Sequence, residues 1–217
     1  MRLTVFGATG PTGQILVRKA LWAVTLSHFC IVYGLYFVLG WLPLWLIQQH
    51  GYSVVGMAKL AAAVYCASGL MTVAAGWACD WLIARGSSLN LVRKGVSILG
   101  HVVGAVGLAG CALGSGNVIV VSLFASAIGL GVIALWPISQ TLCGPRAAGR
   151  WVGIQNCVAN SAGIIGPVVT GWIVDRTHSF NAAFLLAAAL VLIGALGWSV
   201  LLGRIEPVEW GPADARR

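Results

Sequence analysis

Trp22–Ile47, WAVTLSHFCIVYGLYFVLGWLPLWLI, holds no Asp, Glu, Lys or Arg. A bilayer hydrocarbon core of about 30 Å is crossed by roughly 20 apolar residues in a helix. The run therefore reads as a membrane span. The whole chain has the same character: its 217 residues are 59% hydrophobic and only 8% charged, with a mean hydropathy of +0.92. A soluble domain carries about 25% charged residues. These figures exclude a soluble globular domain, a disordered chain and a nucleic-acid binder. The net charge of +8 lies between apolar runs, so it bears on membrane orientation and implies no nucleic-acid partner.

Five further runs follow the first: Gly56–Ile83, Gly95–Leu113, Val118–Ile138, Trp151–Val174 and Phe180–Leu202. The connectors Gln48–Val55, Ala84–Lys94, Gly114–Asn117, Ser139–Arg150 and Asp175–Ser179 are short. Short connectors force antiparallel neighbours, so the expected fold is an all-α membrane protein of six transmembrane helices. Residues 22–205 form the bundle, 1–21 an N-terminal tail and 206–217 a C-terminal tail. With six spans, both termini share one side with Arg2, Arg18, Lys19, Arg85, Arg93, Lys94, Arg146, Arg150, Arg204, Arg216 and Arg217, whereas Lys59 and Arg176 fall on the other. The positive-inside rule then makes both termini cytoplasmic. The expected location is the cell (inner) membrane, with the lipid bilayer as a partner.

The six cysteines, Cys30, Cys66, Cys79, Cys111, Cys143 and Cys157, form no C-x-x-C pair. They read as small buried apolar residues, with no metal site and no disulfide framework. His101 lies two turns into the third span and needs a partner there; a helix–helix hydrogen bond is the first reading and a proton relay the second. Gly100 and Gly104, Gly110 and Gly114, and Gly149 and Gly153 have the spacing for close helix approach. Pro43, Pro137 and Pro167 fall where they can bend spans.

Polar side chains within the spans are the candidates for solute contact. Asn156 and Asn160 share a helix face, with Gln155 one residue off it. Tyr33 and Tyr36 share a face of the first span. Trp136 ends the fourth span with Ser139 and Gln140 and can stack on a sugar-like ring. Asp80 and Arg85 read as gating or interface groups. A carboxylate at a helix C-terminus opposes the dipole, so Asp80 needs a cationic or helix-N-terminal partner.

Three segments resemble the major facilitator superfamily in its anion:cation symporter branch. YGLYFVLGWLPLWLIQQHGYS, Tyr33–Ser53, is similar to the seventh helix. GWACDWLIARG, Gly76–Gly86, is similar to the G-x-x-x-D-x-x-x-x-R-G signature after the eighth, with Trp81 where many members carry a basic residue. GRWVGIQNCVANSAGIIGPVVTGWIVDRT, Gly149–Thr177, is similar to the eleventh. The resemblance covers residues 22–205 and implies the carboxy-terminal six-helix half of a transporter. It also implies a small polar or anionic solute of the sugar-acid kind, a site between two halves, and a coupling ion, proton or sodium. On this reading a homodimer or a missing amino-terminal half supplies the second bundle. It places the Asn156–Asn160 face toward the cavity and Asp80 opposite the other half.

MRLTVFGATGPTGQILVRKAL, Met1–Leu21, reads as a short strand, a Gly-rich turn at Gly7, Gly10 and Gly13, and a helix. It resembles the opening of an NmrA-like NAD(P)-binding domain. No further strand or ribose selector follows, so no cofactor is expected and the segment should be loosely attached. Secondary active transport is the leading function, with no enzyme activity. The alternatives are a non-transporting structural fragment and a membrane-anchored NAD(P)-dependent oxidoreductase.

Overall fold

A computed structural model describes residues 11–114, 122 and 127–210. Within them the chain is helical and no strand occurs. The helices are α1 (Pro11–Leu16), α2 (Lys19–His50), α3 (Val54–Ala84), α4 (Leu89–Leu113), α5 (Ile128–Val132), α6 (Leu135–Asn160), α7 (Ala162–Thr177) and α8 (Asn181–Leu196). A π-helical turn, Gly197–Leu201, continues α8. Gly7 and Gly10 lie outside the described residues, as do most of the Gly114–Asn117 connector and the start of the fourth span.

Elementary turn chemistry sets the boundaries. Gly51 takes φ 65° and ends α2, a conformation that costs glycine little. Two residues on, Ser53 accepts a hydrogen bond from the Gly56 amide and caps α3. Gly114 ends α4 at φ 61°. A 32-residue α2 is about 48 Å long, more than a bilayer core requires. It forms the spine: α6, α7, α8 and α5 all pack on it, and α4 packs on α8.

Helix α6 hides the sixth pass. Gly144 interrupts it with φ 64° and ψ 174°, and Pro145 follows. Ser139 Oγ nevertheless donates to Gln155 Oε1 at 2.7 Å, 16 residues away. A straight helix would hold those residues about 24 Å apart. The chain therefore reverses at Gly144, and α6 is two antiparallel arms. The spans are then α2, α3, α4, α5 with the first arm of α6, the second arm with α7, and α8 with its π-turn. The sequence reading placed a connector at Ser139–Arg150, but the reversal needs only the Gly144–Pro145 step. The backbone at Gly144 is nearly confined to glycine, and an alanine there costs on the order of 1–3 kcal/mol. Gly144→Ala should lower the thermal melting point in detergent, whereas Gly149→Ala, with open space around its Cβ, should not.

One of the three glycine pairs makes the close approach. A Cβ on Gly100 would land on the Gly131 amide nitrogen, and one on Gly104 would meet the Ile128 side chain at 2.8 Å. Gly114, Gly149 and Gly153 have open space instead. Cys30, Cys79, Cys111 and Cys143 are buried as expected, but Cys66 and Cys157 are exposed. His101 turns Nδ1 to the Ser97 carbonyl at 2.7 Å and Nε2 to the Ser27 carbonyl of α2 at 3.4 Å. This is the helix–helix contact of the first reading.

The described residues flanking the bundle, 11–21 and 202–210, are more firmly attached than the sequence suggests. Ile15 and Leu21 are buried, Trp22 Nε1 donates to the Leu16 carbonyl, and Arg18 donates to the Glu209 carbonyl. The described part of the N-terminal tail thus packs on the bundle, where loose attachment was expected. An extended strap, residues 202–210, crosses the same end. Lys94 Nζ holds the Leu202 and Gly203 carbonyls at 2.6 Å each, and Asn90 accepts from the Ile205 amide. The Val208 amide and Trp210 indole donate to the Leu142 and Cys143 carbonyls. These carbonyls precede the Gly144 break, so the strap satisfies acceptors that the broken helix leaves open.

Candidate functional site

Helices α2, α6 and α7 build a polar ladder on one face of the bundle. Tyr36 of α2 donates from its hydroxyl to Asn160 Oδ1 at 3.0 Å. Asn160 Nδ2 donates to the Asn156 carbonyl at 3.0 Å and to Asn156 Oδ1 at 2.7 Å. The spacing explains the alignment, because residues four apart lie above one another on a helix. Gly163 allows the approach: a Cβ there would sit 2.9 Å from the Tyr36 ring. Asn156 is exposed, and Tyr36 and Asn160 are half-buried. The ladder offers amide donors and acceptors together with a phenol oxygen, which suits hydroxyl and carboxylate groups. On this face the amide side chains bond to one another and to the Tyr36 phenol. This lowers the cost of keeping them in an apolar setting.

The other candidates divide. Gln155 is fully buried, because one residue is a rotation of about 100° around the helix. It joins an interior node with Ser139 and His28 and is not on the ladder. Tyr33 is also in the core, 2% exposed, with its ring near that of Phe29 and against Gly166. Tyr33 and Tyr36, placed on one face by spacing, differ in burial: Tyr33 is in the core against Gly166, and Tyr36 is half-buried against Gly163. Trp136 is half-buried and stands edge-on to the His28 ring at 5.3 Å. His28, which the sequence reading passed over within the first apolar run, is buried at 3% exposure. The available signal was an ionisable group inside a span.

Asp80 and Arg85 are both exposed and form no ion pair with each other or with any described residue. Arg85 instead lies over the Trp81 ring, 3.9 Å from its centroid. The indole that replaces the usual basic residue thus occupies the guanidinium by cation–π attraction. Asp80 is left facing outward. Asp175 and Arg176 are exposed in the last turn of α7, with Arg176 near Trp172. A cleft of about 690 Å³ opens at that end, lined by Trp41, Gln48, Trp172, Asp175, His178 and Phe180 among others. The ladder lies outside it. Among the described residues no group of three metal-ligating side chains occurs.

The all-helical order, with six passes once both arms of α6 are counted, is consistent with the half of a major facilitator bundle that the sequence resembles. The chain is homologous to curated sugar-acid and anion transporters. It is 29% identical over 94% of its length to a probable galactarate/D-glucarate transporter of Escherichia coli, GudP, of which it covers 45%. A second such transporter of that organism, GarP, is 30% identical over 90% of this chain and 44% of its own length. The hexuronate transporter of Bacillus subtilis is 29% identical over 94% of this chain and 49% of its own. The chain thus spans about half the length of these curated relatives. No family model matches it.

Proposed function

We propose that this chain is one half-bundle of a secondary transporter for a small organic anion of the sugar-acid class. The Tyr36–Asn160–Asn156 ladder carries the reading, because it is a connected polar surface on the exposed side of a bundle homologous to sugar-acid transporters. Hydroxyls along the solute's carbon chain exchange hydrogen bonds with the amides, and Trp136 offers an apolar wall. The described spans place no Arg or Lys at mid-depth, so the carboxylates are met by cationic groups of a second bundle. That bundle is an amino-terminal half or a second copy of this chain, and Asp80 faces it. Transport is alternating access, in which the two bundles rock about the bound solute and a coupling ion, proton or sodium, sets the direction. The setting is the cell inner membrane with both termini cytoplasmic.

Uptake of labelled D-glucarate into proteoliposomes containing the chain tests the solute class, with hexuronate and an uncharged hexose as competitors. Competition by hexuronate and none by the hexose is expected. Equal competition by the hexose would remove the anion assignment. Orientation has its own test in single cysteines on a cysteine-free background. A cysteine at Ser87 should stay unlabelled from outside intact cells, and one at Ser179 should label. The reverse pattern would invert the topology.

A further inference from the structure

The interior node beneath the ladder has one hydrogen too few for its contacts. Ser139 Oγ lies 2.8 Å from the Leu135 carbonyl and 2.7 Å from Gln155 Oε1, yet a hydroxyl has a single proton to donate. Gln155 Nε2 lies 3.3 Å from His28 Nδ1. All three side chains are buried at 3% exposure or less. Two hydrogen arrangements therefore fit the same positions. With His28 neutral, its Nδ1 accepts from the Gln155 amide nitrogen, the ring proton is on Nε2, and Ser139 donates to Gln155 Oε1. If His28 takes up one proton from water, Nδ1 becomes a donor and the amide must turn over. Gln155 Oε1 then accepts from His28, Gln155 Nε2 donates to Ser139 Oγ, and Ser139 donates to the Leu135 carbonyl. In both states the Ser139–Gln155 and Gln155–His28 contacts each pair one donor with one acceptor, the Leu135 contact is closed only in the second, and the second state carries one more proton, on His28 Nδ1.

We propose that His28, Gln155 and Ser139 form a two-state proton switch that links α2 to both arms of the α6 hairpin. Ser139 and Gln155 stand on opposite sides of the Gly144 break, so each state of the amide sets how one arm is bonded to the other. No charged side chain on the packed elements competes for the ring. Arg146 and Arg150 of α6, Lys59 and Asp80 of α3, and Asp175 and Arg176 of α7 are all exposed. Helices α5 and α8 and the π-turn carry no charged residue, and His101 of α4 faces the Ser27 carbonyl. Within the transport reading, on which this role rests, the switch is where proton occupancy sets the direction of the hydrogen bond between the two arms of α6.

The test needs no transport. In the full chain in lipid nanodiscs, with histidine, glutamine and serine labelled for nuclear magnetic resonance, pH is taken from 8 to 3. The His28 ring should pass from its Nε2–H tautomer to imidazolium, with the Gln155 side-chain amide and Ser139 signals moving at the same midpoint. In Gln155→Met the Ser139 response should vanish while His28 still titrates. If that variant does not fold, His28→Gln should abolish the shared transition. A His28 that stays neutral throughout, or titrates while Gln155 and Ser139 do not move, would overturn the switch. A shared transition in a chain that takes up no solute even as two copies or together with an amino-terminal half would refute the transport reading and leave the switch standing.

Discussion

Gly100→Leu is expected to prevent recovery of folded protein, whereas Gly153→Ala should leave the yield and melting point unchanged or slightly raised. The contrast follows from what each side chain meets. A Cβ on Gly100 lands on the Gly131 amide nitrogen and lies within 2.8 Å of Leu130. Backbone cannot change rotamer, so α4 and α5 must separate. Overpacking a tight core costs about 1–3 kcal/mol, and more when backbone must move. Gly153 has nothing within 4 Å of its Cβ, and alanine in a helix interior is favoured over glycine by about 1 kcal/mol. Size-exclusion profiles and thermal melts in detergent, run side by side, decide it. Equal behaviour of the two variants would show that the α4–α5 approach is not what holds the bundle together.

The second large effect is expected at the ladder. Asn160→Ala removes the acceptor of the Tyr36 hydroxyl and both bonds to Asn156. Losing a polar contact and leaving its partners unsatisfied costs about 1–3 kcal/mol, and 1.4 kcal/mol is tenfold in affinity. D-glucarate uptake at subsaturating concentration should therefore fall about 10- to 100-fold. Tyr36→Phe keeps the ring against Gly163 and loses only the hydroxyl, so its loss should be smaller. Tyr33→Phe, in the core and away from the ladder, should change uptake less than about threefold, because its buried hydroxyl has no bond to the ladder residues. A Tyr33→Phe effect as large as that of Asn160→Ala would place the solute in the core of the half-bundle and reject the ladder as the site.

How these residues divide shows what the sequence made legible. A span is encoded by many residues at once, so the apolar runs mark the passes even where a boundary shifts by several residues. Asn156 and Asn160 were readable as one face because helical spacing is local, and the same spacing sends Gln155 inward. Tyr33 and Tyr36 share a face by spacing alone, yet the ring of one is enclosed by Gly166 and that of the other rests on Gly163. That depends on a second helix, which periodicity does not see. The Gly144–Pro145 reversal was hidden because two residues suffice for it and the helix resumes at once. His28 was hidden by an apolar neighbourhood, and its partners are 111 and 127 positions further along the chain. The strap across residues 202–210 escaped notice because its bonds run to backbone carbonyls and to Asn90 and Lys94, which no local pattern announces.

The central claim is that this half-bundle needs a second bundle to carry solute. A single bundle has nothing to rock against, and its ladder would face lipid. Fluorescently tagged chain is reconstituted at low density, and each vesicle is scored both for copy number, by bleaching steps, and for D-glucarate uptake. The account predicts no uptake in vesicles holding one copy, with uptake appearing only where two copies, or this chain and an amino-terminal half, are present together. Uptake in one-copy vesicles, rising in proportion to copy number, would contradict it.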